Sequence, residues 1–271
     1  MENLIYLFEI MYKECVIMLY KRPFVTEEKR VNRKKIMNDR CRNNDFEYNR
    51  DYMSDIPNGL ESGNKKTLDS GTNYDKIFIW NMPYVSTCPG MTKWCINNCY
   101  NADNREDVYP IKQWIRNLHD FLYQKEKLYE VICNQISLFK GQKVAIRFHS
   151  SGDFFSVEYI DFWIKIAKRF PSVHFWGYTR SWSVSSLREK IIELNSLGNV
   201  TLFASVDDFS QIDKFEQLNK SFVLEKENFE KIINNSNYFI CPEQIRLTNG
   251  CADCGNCITN KAKKDIVFIV H

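Results

Sequence analysis

Short apolar runs alternate with amphipathic segments through the chain from about residue 74 onward. The apolar runs predict seven strands, at 76–80, 143–149, 173–179, 199–205, 221–225, 238–241 and 266–270. The amphipathic segments between them predict helices at 111–139, 157–169, 187–197, 211–218 and 228–233. Strands that alternate with helices in this way are typical of βαβ units, in which the strands run parallel.

The number of strands favours an α/β fold built as a partial (β/α) barrel over residues 73–271. A full eight-unit barrel needs roughly 250 residues, which is more than this region offers. A doubly wound open sheet is the alternative. Barrels of this kind place their chemistry at the C-terminal ends of the strands. We therefore expect the residues that follow the strands to meet at one rim.

Residues 1–72 differ in composition from the rest of the chain. A basic segment at 27–42 is followed by a polar stretch rich in Asn, Asp, Ser and Gly. Such composition predicts a variable, partly disordered N-terminal extension. The basic segment is a candidate for contact with nucleic acid, and a solvated helix face is the alternative.

Composition and charge narrow the classes of protein. The net charge of the 271 residues is only +3, which argues against a protein devoted to binding nucleic acid. No window approaches the roughly 18 apolar residues of a membrane span, and the N-terminus lacks the pattern of a secretory signal. We therefore expect a cytoplasmic protein without a membrane partner. Ten cysteines in that setting indicate metal binding or catalysis rather than disulfides.

Seven of the ten cysteines form two groups, whereas Cys15, Cys41 and Cys133 stand alone. The first cysteine group is Cys88, Cys95 and Cys99, spaced Cys-x6-Cys-x3-Cys. The second cysteine group is Cys241 with the run Cys251-x2-Cys254-x2-Cys257. We interpret all seven as metal ligands.

The second group carries the stronger signal. A Cys-x2-Cys-x2-Cys run lets a turning backbone aim several thiolates at one iron–sulfur cluster. Gly250 and Gly255 supply the permissive backbone that such a turn needs. Zinc is the alternative, although four-cysteine zinc sites usually use two separated Cys-x2-Cys pairs.

The first group has three cysteines and no fourth ligand nearby in the sequence. A 4Fe-4S cluster held by three thiolates leaves one iron open to substrate or cofactor, so the seven cysteines predict one reactive and one closed cluster. The alternative is a single cluster or zinc site that takes ligands from both groups. Pro89 and Gly90 indicate a tight turn after Cys88, and Tyr100 is a candidate to shield a cluster from water.

The strand at 143–149 places polar residues on one face. Ala145, Arg147 and His149 share one parity, so Arg147 and His149 are expected to face away from the helices. An inward arginine needs an anionic partner. A cofactor carboxylate, Asp153 or Asp207 is the candidate, and an internal Arg147–Asp153 ion pair is the structural alternative.

Further candidates follow other strands. We assign catalytic roles to Asp153, His149, Arg147 and Arg180, and cofactor-binding roles to Ser151, Gly152, Asp153, Tyr100, Ser205 and Asp207. A hydrogen-bonded core histidine is the alternative for His149. Stacking on Trp176 or Trp182 is the alternative for Arg180, and helix capping is the alternative for Asp207.

Several motifs resemble those of a known family over about residues 78–271. They are "WNMPYVSTCPGMTKWCINNCYN", "RFHSSGDFFSVEYIDFWIKIAKRFPSVHFWGYTRSW", "CPEQ", "CADCGNC" and "VFIVH". Together they resemble the phage gene product 88 domain family, which implies an origin in a phage or mobile element. More distantly, a three-cysteine loop after the first strand of a partial barrel is similar to radical S-adenosylmethionine enzymes, whose usual spacing is Cys-x3-Cys-x2-Cys. That resemblance implies S-adenosylmethionine as a cofactor and places Ser151, Gly152 and Asp153 at its methionine amino group.

The sequence therefore predicts an iron–sulfur enzyme of unknown substrate with one or two 4Fe-4S clusters. The alternative is a zinc-stabilised binding protein that acts on host machinery or nucleic acid without catalysis.

Overall fold

The computed structural model describes residues 54–103, 109–207, 216–224, 237–261 and 263–269, with the isolated positions 28, 31, 32 and 35. Eight strands are described: β1 (Glu61–Ser62), β2 (Lys76–Trp80), β3 (Val144–Phe148), β4 (His174–Thr179), β5 (Val200–Ser205), β6 (Lys220–Leu224), β7 (Tyr238–Ile240) and β8 (Asp265–Ile269). The described α-helices are α1 (Lys93–Asn98), α2 (Tyr109–Tyr123), α3 (Lys125–Ser137), α4 (Val157–Arg169), α5 (Ser185–Asn195), α6 (Cys251–Cys254) and α7 (Asn256–Thr259).

The strands form one mixed sheet that is mostly parallel. Its order is β1-β2-β3-β4-β5-β6-β8-β7, and β1 alone pairs antiparallel. All seven predicted strands are present, each within one residue of its predicted bounds. The predicted α/β class with parallel strands is confirmed, and β1 is an addition that the hydrophobic pattern did not predict.

The sheet is open among the described strands, because β1 and β7 lie at its edges and are not paired with each other. A closed barrel is therefore not formed by these residues. The long helices α2 to α5 contribute to one apolar core on one face of the sheet. A doubly wound sheet would place helices on both faces, whereas the described helices of the other face are the short α6 and α7.

Side-chain alternation explains which face the long helices cover. In β3, Val144, Ile146 and Phe148 belong to the helix-covered core, while Ala145 packs in a separate cluster on the opposite face. A strand turns successive side chains to opposite faces, so Arg147 follows Ala145. We call the face away from α2 to α5 the inner face.

The helices follow their apolar periodicity and their caps. Helix α4 has the predicted bounds, and the Ser156 side chain accepts a hydrogen bond from the Tyr159 amide at its start (3.1 Å). The single helix predicted at 111–139 is instead two helices that meet at Gln124. The Gln124 side chain donates to the Ser54 carbonyl (2.9 Å), which ties this break to the preceding part of the chain.

Residues 54–72 were assigned from composition to the N-terminal extension. In the structure, β1 pairs with β2, and Leu60 and Thr67 are buried. The division of the chain at residue 72 stays a prediction, because most residues before 54 lie outside the described ones.

Several sequence predictions fall on residues that the structure does not describe. These are the helix at 228–233, most of the helix at 211–218, most of the basic segment 27–42, and the lone Cys15 and Cys41. Among the helices of the described ranges, none has the length and apolar character needed to cross a membrane.

Candidate metal and ligand site

A cavity of about 480 Å³ opens at the C-terminal ends of the parallel strands. Its walls come from the loops that follow successive strands and from the inner face of the sheet. The lining includes Cys88, Cys95, Cys99, Tyr100, Arg147, His149, Ser151, Gly152, Asp153, Tyr178, Arg180 and Ser205. The prediction that these strand ends meet at one rim is confirmed for these residues.

The first cysteine group lies on a loop and a short helix in the wall of this cavity. Thr92 caps α1 by accepting a hydrogen bond from the Cys95 amide (3.3 Å), and Cys99 follows the last residue of the helix. The pattern of a threonine before a short helical segment is an N-cap signal that the sequence analysis did not use. Capping fixes the positions of Cys95 and Cys99 relative to Cys88.

The thiols of Cys95 and Cys99 and the carboxylate of Asp153 influence the Cys88 thiol electrostatically. Burial raises the pKa of the Cys88 thiol, and the negative charges of Asp153, Cys99 and Cys95 raise it further. Each of these cysteines is partly exposed, and none is in a disulfide. The group therefore presents thiols that are not in disulfides at the wall of the cavity.

Gly90 confirms the tight turn expected after Cys88, for a reason that its sequence context did not reveal. A Cβ at position 90 would lie 2.2 Å from the Arg180 carbonyl oxygen, so the loop touches the β4 end through bare backbone. Tyr100 and Asn101 tie the other end of the loop to β3. Both side chains donate to the carbonyl of Ser150, and the Tyr100 ring is 49% exposed.

The Ser151–Asp153 turn after β3 is packed tightly against the segment after β2. Gly152 has a φ of +76°, and a Cβ there would lie 2.5 Å from the Cβ of Met82. The Met82 amide donates to the Ser151 carbonyl (3.0 Å). Gly152 is therefore required by the backbone itself, whatever its role towards a ligand.

Asp153 is a buried carboxylate whose oxygens are fully engaged by neutral donors. Oδ1 accepts from the Thr179 hydroxyl (2.6 Å) and the Phe154 amide (2.7 Å). Oδ2 accepts from the amides of Arg180 (2.8 Å) and Ser181 (3.1 Å). Burial raises the pKa of Asp153, and these hydrogen bonds oppose that shift. The predicted Arg147–Asp153 ion pair is wrong, because Asp153 instead fixes the loop after β4.

His149 is turned away from the inner face, contrary to the parity argument. Its φ of +53° interrupts the strand alternation, and its Nε2 lies 2.8 Å from the Tyr159 hydroxyl of α4. Burial lowers the pKa of His149 to about 3. The imidazole is therefore neutral near neutral pH, so it cannot deliver a proton as imidazolium. The hydrogen-bonded core histidine is the alternative that the structure supports.

Arg180 is paired with Asp207, and its guanidinium lies 5.6 Å from the centre of the Trp94 ring. The alternative of stacking on Trp176 or Trp182 is wrong, because the ring it meets comes from the first cysteine loop. Asp207 also accepts from the Thr92 hydroxyl (3.1 Å). These contacts join the loops after β2, β4 and β5 at the rim.

Arg147 extends from β3 on the inner face, between the two cysteine groups. Burial opposes its charge, while the ionised forms of Tyr100, Cys251, Tyr178 and Cys257 favour it, and the net effect raises its pKa. Its guanidinium lies 6.0 Å from the centre of the Tyr178 ring. Arg147 thus lines the same cavity as the first cysteine group and interacts electrostatically with Cys251 and Cys257 of the second.

The second cysteine group lies away from the rim, under the inner face of the sheet. Cys251 and Cys257 pack in a cluster with Ala145 and Trp176. Cys254 lines a second cavity of about 620 Å³, which also includes Lys143 and His174 from the N-terminal ends of β3 and β4. The expectation that both groups share the C-terminal rim is therefore wrong for Cys251, Cys254 and Cys257, whereas Cys241 follows the C-terminal end of β7.

The second group is compact although it is not at the rim. The Cys-x2-Cys-x2-Cys run forms α6 and α7, joined by Gly255 with a φ of +68°, as its glycine predicted. Burial raises the pKa of Cys257, and the charges of Cys241, Cys251 and Cys254 raise it further, while a hydrogen bond from Tyr178 opposes the shift. Burial also raises the pKa of Cys251, to about 11, and Arg147 opposes that shift.

Thiols are the ligands of iron–sulfur clusters and of structural zinc, and none of the seven grouped cysteines is in a disulfide. Within the described ranges, no three histidine, cysteine, aspartate or glutamate side chains are placed so that they could hold a metal ion. The donor chemistry therefore fits a metal–thiolate centre, while the positions of the sulfur atoms do not define one.

Sequence reasoning missed several lining residues, among them Lys66, Trp94 and Ser150. Lys66 lay in the segment assigned to the extension, and Trp94 lay in a loop with no predicted helix. A small polar residue such as Ser150 carries no signal of its own.

The fold and cavity belong to a class of α/β proteins with cysteine-bearing loops around an open, mostly parallel sheet. The family described as Gene product 88 matches residues 58–260, and the chain belongs to that family. Similar proteins include the Gene 88 protein of Mycobacterium phage D29, 25% identical over 67% of this chain and 81% of that protein. The Gene 88 protein of Mycobacterium phage L5 is 26% identical with the same coverage. No solved structure matches.

Proposed function

We propose that this chain is an iron–sulfur enzyme of phage or mobile-element origin that acts on a small ligand in the rim cavity. The observation that carries the proposal is the separation of the two cysteine groups. Cys88, Cys95 and Cys99 line the rim cavity, whereas none of the second group lines it, and Cys251 and Cys257 pack against the inner face of the sheet. This division supports two separate sites, the first of which opens to the rim cavity.

The first cysteine group is the candidate for the reactive centre. A cluster held by Cys88, Cys95 and Cys99 would leave one iron available to a ligand and would supply electron transfer to it. The chain itself would position the ligand, because the cavity volume suits a small molecule and its walls come from the ends of five strands. If the sheet curves as a partial barrel does, its inner face would enclose the ligand further.

The second cysteine group is the candidate for a closed centre with a structural role. Its thiols are held by two short helices and by Tyr178, and they do not line the rim cavity. Metal binding there would fix α6 and α7 against the inner face. Structural metal sites contribute directly to folding free energy.

The test is metal and sulfide analysis of full-length protein purified without oxygen. We expect a brown protein with about eight irons per chain for two clusters, or about four for one. Replacing Cys88, Cys95 and Cys99 together by Ala should remove the iron of the reactive site. Cys133→Ala is the matched control, because Cys133 is buried in the helical core away from both groups. Iron content unchanged by the triple replacement would refute the assignment of the reactive site.

S-adenosylmethionine is the cofactor implied by the sequence resemblance, and its role needs its own test. Reduced, iron-loaded protein should cleave it to deoxyadenosine if the resemblance extends to chemistry. Absence of cleavage, with the cluster intact, would leave an iron–sulfur enzyme of another type.

A zinc-stabilised binding protein is the second candidate, favoured by the closed packing of the second group. It predicts a colourless protein with one or two zinc ions per chain and no iron. Host protein or nucleic acid should then bind without turnover. That metal content would reject the iron–sulfur proposal.

A further inference from the structure

The cations that line the rim cavity differ in whether the protein neutralises them. Lys66 lies 3.6 Å from the Glu243 carboxylate, and Arg180 is paired with Asp207. Arg147 forms no ion pair with a carboxylate of the described ranges; its Nε is buried without a hydrogen-bond partner, and its guanidinium lies 6.0 Å from the centre of the Tyr178 ring. An arginine keeps its charge at any ordinary pH, so an unpaired one in a cavity wall is costly without an anion.

Asp153, the carboxylate that lines the same cavity, is already hydrogen-bonded to other groups of the protein. Asp153 accepts four hydrogen bonds, from one hydroxyl and three backbone amides. These donors occupy its oxygens, so Asp153 does not pair with Arg147. The remaining anionic candidates are a bound ligand and the thiolates of the second cysteine group, whose ionised forms would favour the arginine charge.

Neighbouring polar groups of the same strand end also lack partners. The hydroxyls of Ser150 and Ser151, the Nε of Arg147 and the Nδ1 of His149 are all buried without a hydrogen bond, and all four residues line the cavity. Buried polar groups are normally hydrogen-bonded. Four orphaned groups within one run of five residues indicate a missing partner with several acceptor oxygens.

The proton on His149 follows from its neighbours. Trp80 Nε1 donates to the Tyr159 oxygen (2.8 Å), which leaves the phenol proton free to bond His149 Nε2 (2.8 Å). In the tautomer in which the phenol donates to Nε2, the neutral ring carries its own proton on Nδ1, the unpartnered nitrogen. In that tautomer, His149 adds a donor to the guanidinium and hydroxyls.

We propose that the run Arg147–Ser151 binds the oxyanion group, a carboxylate or a phosphate, of the ligand in the rim cavity. This inference rests on the proposed function only in placing a small ligand in that cavity, and it does not require a metal. A guanidinium recognises both oxyanions through paired N–H···O bonds. The same residue could instead serve the second cysteine group, so the test separates these roles.

The experiment is calorimetric titration of full-length protein of known metal content with inorganic phosphate and, separately, with acetate at constant ionic strength. The two probes distinguish a phosphate from a carboxylate ligand. We expect at least one to bind, with affinity reduced at least about tenfold in Arg147→Gln and a few-fold in Ser151→Ala, since charge-assisted hydrogen bonds exceed neutral ones. Lys140→Gln removes the same charge from an exposed site and should bind like the wild type.

Failure of both probes to bind the wild type would overturn the inference. It would also be overturned if Arg147→Gln lost metal but kept its affinity for the oxyanion, because Arg147 would then serve the thiols. Arg147→Lys is the control for a folding defect, because it keeps the positive charge. It loses the planar guanidinium with its paired N–H groups and should therefore bind the oxyanion more weakly than the wild type. Metal content is measured on the same samples, so failure of the iron–sulfur proposal would be seen separately.

Discussion

The two cysteine groups present the same side chain in two different settings. The second group is held by backbone hydrogen bonds to the segment 66–73. The amides of Cys251 and Ala252 donate to the carbonyls of Lys66 and Thr67, and the Asn73 amide donates to the Ala252 carbonyl, each at 3.0 Å. We call segment 66–73 the clamp.

Within the described residues, the first group has no backbone hydrogen bonds to a distant segment comparable with these. Its loop is held by side chains, through the Thr92 cap and through Tyr100 and Asn101 at the Ser150 carbonyl. Backbone pairing makes a region rigid and closed, whereas side-chain anchors leave its wall open to a cavity. Under the proposed function, this contrast leads us to expect a larger contribution to stability from the second group than from the first.

The largest expected difference is in folding. Replacing Cys251, Cys254 and Cys257 together by Ala should lower the free energy of unfolding by more than about 4 kcal/mol, as loss of a structural metal does. Replacing the three cysteines of the first group should cost much less, because their loop is held by side-chain contacts rather than by backbone pairing with a distant segment. Urea unfolding of protein prepared without oxygen measures both. Equal losses in the two triple variants would erase the distinction between the groups.

The next largest effect comes from glycines at close backbone contacts. A Cβ at Gly250 would lie 2.7 Å from the clamp's Lys66 carbonyl oxygen and 2.6 Å from the Leu68 Cγ. We expect Gly250→Ala to cost about 3 kcal/mol through overpacking. Thermal unfolding should show the loss, together with a lower metal content.

Gly198→Ala is the control for this prediction. A Cβ at Gly198 would meet nothing within 4 Å, so the change should be neutral or slightly stabilising. No loss of stability in Gly250→Ala would mean that the clamp moves aside to accept the added methyl group. A large loss in Gly198→Ala would mean that the effect of an added methyl group does not depend on close contacts.

The strands were predictable from sequence because their signal is local. The apolar runs of β2 and β4 are bounded by polar residues. Their side chains pack against the helices in a pattern that can be read from neighbouring residues alone. The break between α2 and α3 was not predictable, because Gln124 is tied there by a contact with Ser54, 70 residues earlier.

The candidate site was predictable in part for the same reason. Strand ends of a parallel sheet converge, so the first cysteine group, Arg147 and Arg180 were correctly placed near one another. His149 was misplaced because a positive φ on a non-glycine residue has no sequence signal. The second group was misplaced because the clamp that draws it under the sheet came from a segment read as an extension.

Glu61, at the edge of the sheet, gives the free energy of unfolding a pH dependence that differs from that of the thiols. Burial raises its pKa from 4.5 to about 7, with hydrogen bonds from Asn117 and Asn81 opposing the shift. A raised carboxyl pKa contributes stability that is complete below pH 4.5 and lost as the pH rises through 7. Glu61→Gln should therefore gain about 2 kcal/mol at pH 8 relative to wild type and nothing at pH 4.

The measurement is urea unfolding of both proteins at several pH values. Any pH dependence above 8 that persists in Glu61→Gln belongs to other groups, the thiols among them. A difference between the proteins that is constant with pH would contradict the assignment to Glu61.

The smallest expected effect compares a threonine in each region. Thr92 supplies the cap of α1, whereas Thr72 in the clamp donates to Asp253 Oδ1 (3.3 Å), an atom that the Thr72 amide already bonds at 2.8 Å. Thr92→Ala should cost about 1 kcal/mol, as loss of an N-cap does, and should speed hydrogen exchange at the Cys95 amide. Thr72→Ala should cost less than about 0.5 kcal/mol, because its backbone bond remains. Thr92→Ser keeps the capping oxygen and should restore protection at Cys95. If exchange at Cys95 is unchanged in Thr92→Ala, the loop has backbone support that its described contacts lack, and the contrast with the clamp is weaker than the hydrogen bonds indicate.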